Sequence, residues 1–253
     1  MPVFEGVGVA LLTLFDDDGE IDARATAAHA ATVVDAGIKA VVVAGSTGEA
    51  SALTPDERVA LLDAVRGVVE GRAVVLAGTG APSARQAVAL TAAAVDHGAD
   101  AVLVLSPPNS NDVRPYYDAV AKAAGATPVL AYHYPAVSPP GIPVPVLGDL
   151  PVAGCKDSTG DPDRLLTELT QWDEALYVGS SAILSFAGPL GCAGAILALA
   201  NAEPERCIAA FSGDATAQLE LVGPHTSARG RFPAGLKELA ALRYGTSTIA
   251  RMG

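Results

Sequence analysis

Lysine is scarce in this chain: only Lys39, Lys122, Lys156 and Lys237 occur in 253 residues. Basic residues as a whole are outnumbered, 16 Lys and Arg against 28 Asp and Glu, for a formal net charge of −12. That balance argues against a nucleic-acid partner, which needs a basic face. The acidic residues are spread along the chain rather than gathered into a tail, as solubility requires. Cysteine is equally sparse. Cys155, Cys192 and Cys207 are odd in number and lack metal-ligand spacing, and the first and second sit in apolar runs as small core residues. This usage fits a reducing compartment. His29, His97, His133 and His225 also lack ligand spacing, which disfavours a metal centre. Apolar runs are cut by glycine or charge well short of a membrane span, and Met1–Glu5 has no basic leader. The expectation is a soluble, cytoplasmic protein with no membrane and no nucleic-acid partner.

What is abundant is hydrophobic sequence, half of all positions, and it is organised. Gly6 to Phe15 is an apolar run of strand length stopped by Asp16-Asp17-Asp18-Gly19. Ala40 to Ala44 is β-branched without alternation, as expected of a strand buried on both faces. Similar runs recur at 73–77, 101–105 and 128–133, at the stretch ending in Lys156, and at 176–179 and 194–197. Most are separated by helical segments. Asp22 can cap one helix, and Thr54-Pro55-Asp56-Glu57 is a strong helix start. Asp35-Ala36-Gly37 and Asp96-His97-Gly98 each end a helix on glycine and turn into a strand, and Gly191 resembles the same turn. Eight such units in a chain of roughly 250 residues predict a closed (β/α)8 TIM barrel over 1–211. An open doubly wound sheet is disfavoured, because the glycines after the first strand do not form a dinucleotide fingerprint. Residues 212–253 fall outside the units. They predict a short helical appendage, Ala215–Leu221 and Ala234–Leu242, with Gly223-Pro224 as a break between them.

Barrel sites form at the C-terminal ends of strands. Three groups fall there: Gly45-Ser46-Thr47-Gly48-Glu49, Tyr132-His133-Tyr134-Pro135, and Lys156. Lys122 and Lys237 sit in helical patterns that predict a solvated face, whereas Lys156 ends a buried strand. There desolvation would lower its pKa and leave a nucleophilic amine. The glycine-flanked Ser-Thr turn offers N–H groups and hydroxyls for a small carboxylate, and a nearby phenol can move protons. His133 alternates with Tyr132 and should face away from the lumen. An amine, an anion cradle and a phenol are the parts for a 2-oxo acid held as a Schiff base.

Here the sequence resembles the dihydrodipicolinate synthase and N-acetylneuraminate lyase superfamily of class I pyruvate aldolases. The likeness rests on GSTGEA at 45–50, AGTGA at 77–81, AYHYP at 131–135, GCKDSTGD at 154–161 and GCAGAILALAN at 191–201. It implies that Lys156 forms the Schiff base with pyruvate and that Tyr132 relays protons. Ser46 and Thr47, with Gly45, would bind the pyruvate carboxylate, the Thr47 hydroxyl coupled to Tyr132. Gly179 and Ile196 would line the pocket. No metal and no cofactor are implied, and a homo-oligomer, dimer or tetramer, is. Two departures stand out. The loop Ser106-Pro107-Pro108-Asn109-Ser110-Asn111 lacks the tyrosine of the synthase branch, and Ala136-Val137-Ser138 stands where that branch has an arginine. Tyr116 and Tyr117 come later, at a helix start. The appendage is also shorter than the family usually carries.

The leading expectation is therefore a cofactor-free aldolase joining or splitting pyruvate and an aldehyde. The joined form would be a 2-oxo-3-deoxy sugar acid or 4-hydroxy-2-oxoglutarate. Two rivals stay open: a dihydrodipicolinate synthase condensing pyruvate with aspartate semialdehyde, and a non-catalytic barrel that binds a 2-oxo acid.

Overall fold

Eight short apolar runs pair in parallel, each with the next and the last with the first, and so close a (β/α)8 barrel. In the computed structural model, which describes residues 1–252, the strands are β1 Gly6–Ala10, β2 Ala40–Val43, β3 Val74–Gly78, β4 Ala101–Leu105, β5 Val129–His133, β6 Gly154–Asp157, β7 Ala175–Val178 and β8 Gly194–Leu197. The outer ring contains α1 Ala23–Asp35, α2 Pro55–Val69, α3 Ala84–Asp96, α4 Arg114–Ala124, α5 Pro162–Gln171, the single turn α6 Leu184–Ala187, and α7 Pro204–Phe211. A 3-10 helix, Val144–Asp149, takes the place of an α-helix after β5. No helix among the described residues is long and apolar enough to cross a membrane.

The strands read as unbroken apolar runs because both faces are covered. Val42, Leu76, Leu103, Leu130, Tyr177 and Ile196 meet in the lumen as one cluster. Their neighbours Val41, Val75, Val102, Cys155 and Leu197 pack outward beneath the helices. The helix starts are locally encoded: the Asp22, Ser83 and Asp161 side chains accept first-turn N–H groups, and Thr54 with Glu57 forms a full capping box. Gly37, Gly98 and Gly191 take φ of 107°, 74° and 97°, the left-handed turn that lets each helix swing back into a strand.

Two segments depart from the sequence reading. The run from Gly6 pairs as a strand only as far as Ala10. Leu11, Leu12, Leu14 and Phe15 are all buried, but the Leu12 and Leu14 N–H groups go to the Asn201 and Thr26 side chains, each at 3.0 Å. Burial, rather than sheet pairing, is what the apolar run reported. Beyond α7 lie α8 Ala215–Glu220, α9 Val222–Gly230 and α10 Ala234–Tyr244. Gly223-Pro224 therefore does not break the chain; it falls in the first turn of α9. Proline is tolerated there because first-turn N–H groups have no partner within the helix.

Candidate active site

Lys156 sits on β6 opposite Tyr132 of β5 and Tyr177 of β7. Its side chain points into the lumen, is 4% exposed, and holds Nζ 4.2 Å from the centre of the Tyr132 ring. Burial alone pulls this amine down from the ordinary lysine range to about 7. The next residue, Asp157, cannot neutralise it, because strand alternation turns that carboxylate outward onto Arg164 at 3.1 Å. Room for the lysine comes from Gly179. A Cβ at that position would lie 2.9 Å from Lys156 Cε and 1.8 Å from Ser158 Oγ. Ile196 is fully buried in the same luminal cluster as Tyr132 and Tyr177.

The Tyr132 phenol is buried, which pushes its pKa well up, and it stacks against Tyr134 at 6.0 Å. Its hydroxyl accepts from the Ser158 hydroxyl at 3.4 Å, and the Ser46 side chain offsets part of the upward shift. Thr47 is buried, and the hydroxyl hydrogen-bonded to Tyr132 is that of Ser158. The Gly45-Ser46-Thr47-Gly48 turn folds on itself, Gly48 N–H and Ala50 N–H both donating to Gly45 O at 3.0 and 3.2 Å. A cavity of about 720 Å³ reaches this turn. Ser46, Tyr132, Leu105, Ser138, Phe232 and Met252 are among its walls.

Several neighbours were not legible as site residues. Ser158 follows the lysine by two positions and bonds the phenol. Glu49, fully buried at the end of the cradle, pairs with Lys237 at 2.6 Å. The solvated face predicted for Lys237 is thus wrong: it is completely buried, and its partner is distant in the sequence. Tyr116 and Tyr117 do not reach the lumen; their hydroxyls donate to Ala81 O and Val104 O beneath α4. His133 faces outward, its Nδ1 accepting the Ile142 N–H at 2.8 Å. In the loop without a tyrosine, Ser138 donates to Ser106 O at 2.5 Å, and the Ser106 hydroxyl is buried without a partner. No group of three or more His, Cys, Asp and Glu side chains among the described residues is arranged to hold a metal.

The profile of the Dihydrodipicolinate synthetase family matches residues 3–222. The chain belongs to this family. It is 36% identical over 256 residues to an uncharacterized DapA-like lyase of Halobacterium salinarum, covering 94% of this chain and 84% of that protein. It is also 36% identical over 226 residues to the 4-hydroxy-tetrahydrodipicolinate synthase of Pseudomonas aeruginosa, covering 84% and 77%. Among solved structures it superimposes on YagE, a prophage protein of E. coli K12 belonging to the dihydrodipicolinic acid synthase family, in complex with pyruvate. That match has a TM-score of 0.91 at 25% identity and covers 98% of this chain and 92% of that one. As a family member, the chain shares the barrel whose strand ends carry the cluster described above.

Proposed function

We propose that this protein is a class I aldolase, a carbon–carbon lyase acting between pyruvate and an aldehyde. The observation that carries the reading is a buried lysine amine with no carboxylate partner among the described residues, its Nζ 4.2 Å from the centre of a buried tyrosine ring. In the cleavage direction, neutral Lys156 attacks the C2 carbonyl of the 2-oxo acid. Loss of water leaves a protonated imine. A base then takes the proton of the C4 hydroxyl, the C3–C4 bond breaks, and its electron pair flows into the imine to give an enamine. The aldehyde departs, C3 is protonated, and hydrolysis returns pyruvate and the free amine. Tyr132 carries the protons, with Ser158 as its hydrogen-bonded neighbour. Gly45, Ser46 and Thr47 hold the carboxylate, and Gly179 and Ile196 shape the wall.

For the aldehyde, the cavity wall carries several hydroxyls, and the guanidinium of its one lining cation, Arg58, is taken up by Gly78 O and Ala50 O. Val137 lines it where an arginine would grip a carboxylate, and Ser106 and Ser138 stand beside it. This favours a hydroxylated aldehyde, with a 2-oxo-3-deoxy sugar acid or 4-hydroxy-2-oxoglutarate as the joined form. The second reading, condensation with aspartate semialdehyde, is supported by the name of the Pseudomonas aeruginosa relative. We place the enzyme in the cytoplasm as a homo-oligomer, a reading supported by its three free, buried cysteines and by the family resemblance.

Borohydride with pyruvate should give a stable adduct on Lys156 that is absent from Lys156→Ala. Turnover of an aldehyde panel then separates the alternatives. Condensation with aspartate semialdehyde alone would replace the sugar-acid reading. Trapping without turnover of any aldehyde would leave a binding protein.

A further inference from the structure

The carboxylate cradle is held from the opposite end of the chain. Glu49 closes the Gly45–Gly48 turn in the left-handed backbone region, φ 56°, where a non-glycine residue needs outside support. Its carboxylate is buried, pairs with the Lys237 ammonium at 2.6 Å, and accepts hydrogen bonds from the Arg251 N–H at 2.8 Å and the Met252 N–H at 2.7 Å. Lys237 in turn donates to Ile249 O at 2.5 Å and lies 4.4 Å from the centre of the Phe15 ring. The Arg251 guanidinium fastens the same segment to Gly19 O, Ala52 O and Glu57 at 2.7, 3.0 and 2.7 Å. Any shift of Glu49 passes directly to the cradle, because the Glu49 N–H donates to Ser46 O at 3.2 Å and the Ala50 N–H to Gly45 O at 3.2 Å.

We propose that Glu49 and Lys237 are positioning residues for the pyruvate carboxylate, fixing the Gly45–Gly48 turn through the segment 249–252. The inference rests on the aldolase reading above. A buried ion pair contributes little net stability compared with apolar packing of the same volume, so stability alone is a weak reason for this one. What the pair does provide is register. It sets where the turn sits relative to Tyr132, and with it the Ser46 hydroxyl.

The test measures borohydride trapping at Lys156 against pyruvate concentration, alongside the thermal midpoint. Met252→Pro and Met252→Ala remove the same side chain at a half-exposed position, and only the proline also removes the N–H given to Glu49. The proline variant should need about tenfold more pyruvate for half-saturation than the alanine variant, the worth of one buried charge-assisted hydrogen bond. Its maximal trapping rate should stay within about twofold, since the amine is untouched. Glu49→Gln and Lys237→Met should each raise half-saturation in the same way. If either variant fails to fold, the Met252 pair still decides. Equal half-saturation in the two Met252 variants, or a lower midpoint with unchanged half-saturation, would overturn the proposal. Wild-type protein that traps no pyruvate on Lys156 would instead remove the aldolase reading beneath it.

Discussion

Two lysines are buried in this barrel, and they are treated in opposite ways. Both lie against an aromatic ring, Lys156 4.2 Å from the centre of Tyr132 and Lys237 4.4 Å from that of Phe15. Burial pulls both amines below the ordinary lysine range. For Lys237, the Glu49 carboxylate at 2.6 Å pulls the other way and favours the cation. For Lys156 nothing opposes burial, and its pKa falls to about 7. Desolvation is common to both sites; an acid partner belongs to one. On the aldolase reading, that single difference separates a structural cation from a nucleophile.

The contrast can be broken most severely at Lys237. Lys237→Met should cost roughly 3–5 kcal/mol in urea unfolding, because it leaves Glu49 buried and unpaired. Adding Glu49→Gln should restore much of that loss. At the other site, Tyr132→Phe should lower aldol turnover by about 10²- to 10³-fold while Lys156 can still be trapped, the usual worth of a positioned acid–base group. Lys156→Met should act on stability with the opposite sign to Lys237→Met. The unfolded amine keeps its proton up to an ordinary value near 10.5 while the folded one releases it near 7, so stability rises with pH across that interval. Removing the amine should therefore stabilise the fold by roughly 2–4 kcal/mol at pH 7 and by progressively less above it. The trapping rate of the unmodified protein should rise with pH through about 7 and then level. The smallest expected effect is at Ser158. Ser158→Ala removes one 3.4 Å contact to the phenol and should slow turnover by only about fivefold.

The fold was legible because barrel strands announce themselves. Ala40–Val43 and Ala101–Leu105 are too uniformly apolar to be anything but buried on both faces, and glycines such as Gly37 and Gly98 mark where helices turn back. The burial of Lys156 was legible for a related reason: it lies at the end of such a strand. Lys237 was not. It lies in the helical pattern of α10, and helical spacing does not say whether a lysine meets water or a carboxylate distant in sequence. Ser46 and Thr47 are adjacent and chemically alike, so only coordinates could show which of the two acts on the Tyr132 phenol. Ser158 carried a clue that went unread, since it stands beside the lysine on a turn opposite Gly179. The helical character of Gly223-Pro224 was hidden because proline, which interrupts a helix interior, is accepted in its first turn.

Gly179 carries a lesson that extends past this protein. Just past β7, Gly179 leaves out the Cβ that would crowd Ser158 and the far end of Lys156. If Lys156 forms the imine, transplanting it into another barrel calls for two substitutions, the amine and a vacant berth at the end of the strand next door. A scaffold given the first without the second would hold a correct sequence and a displaced nucleophile.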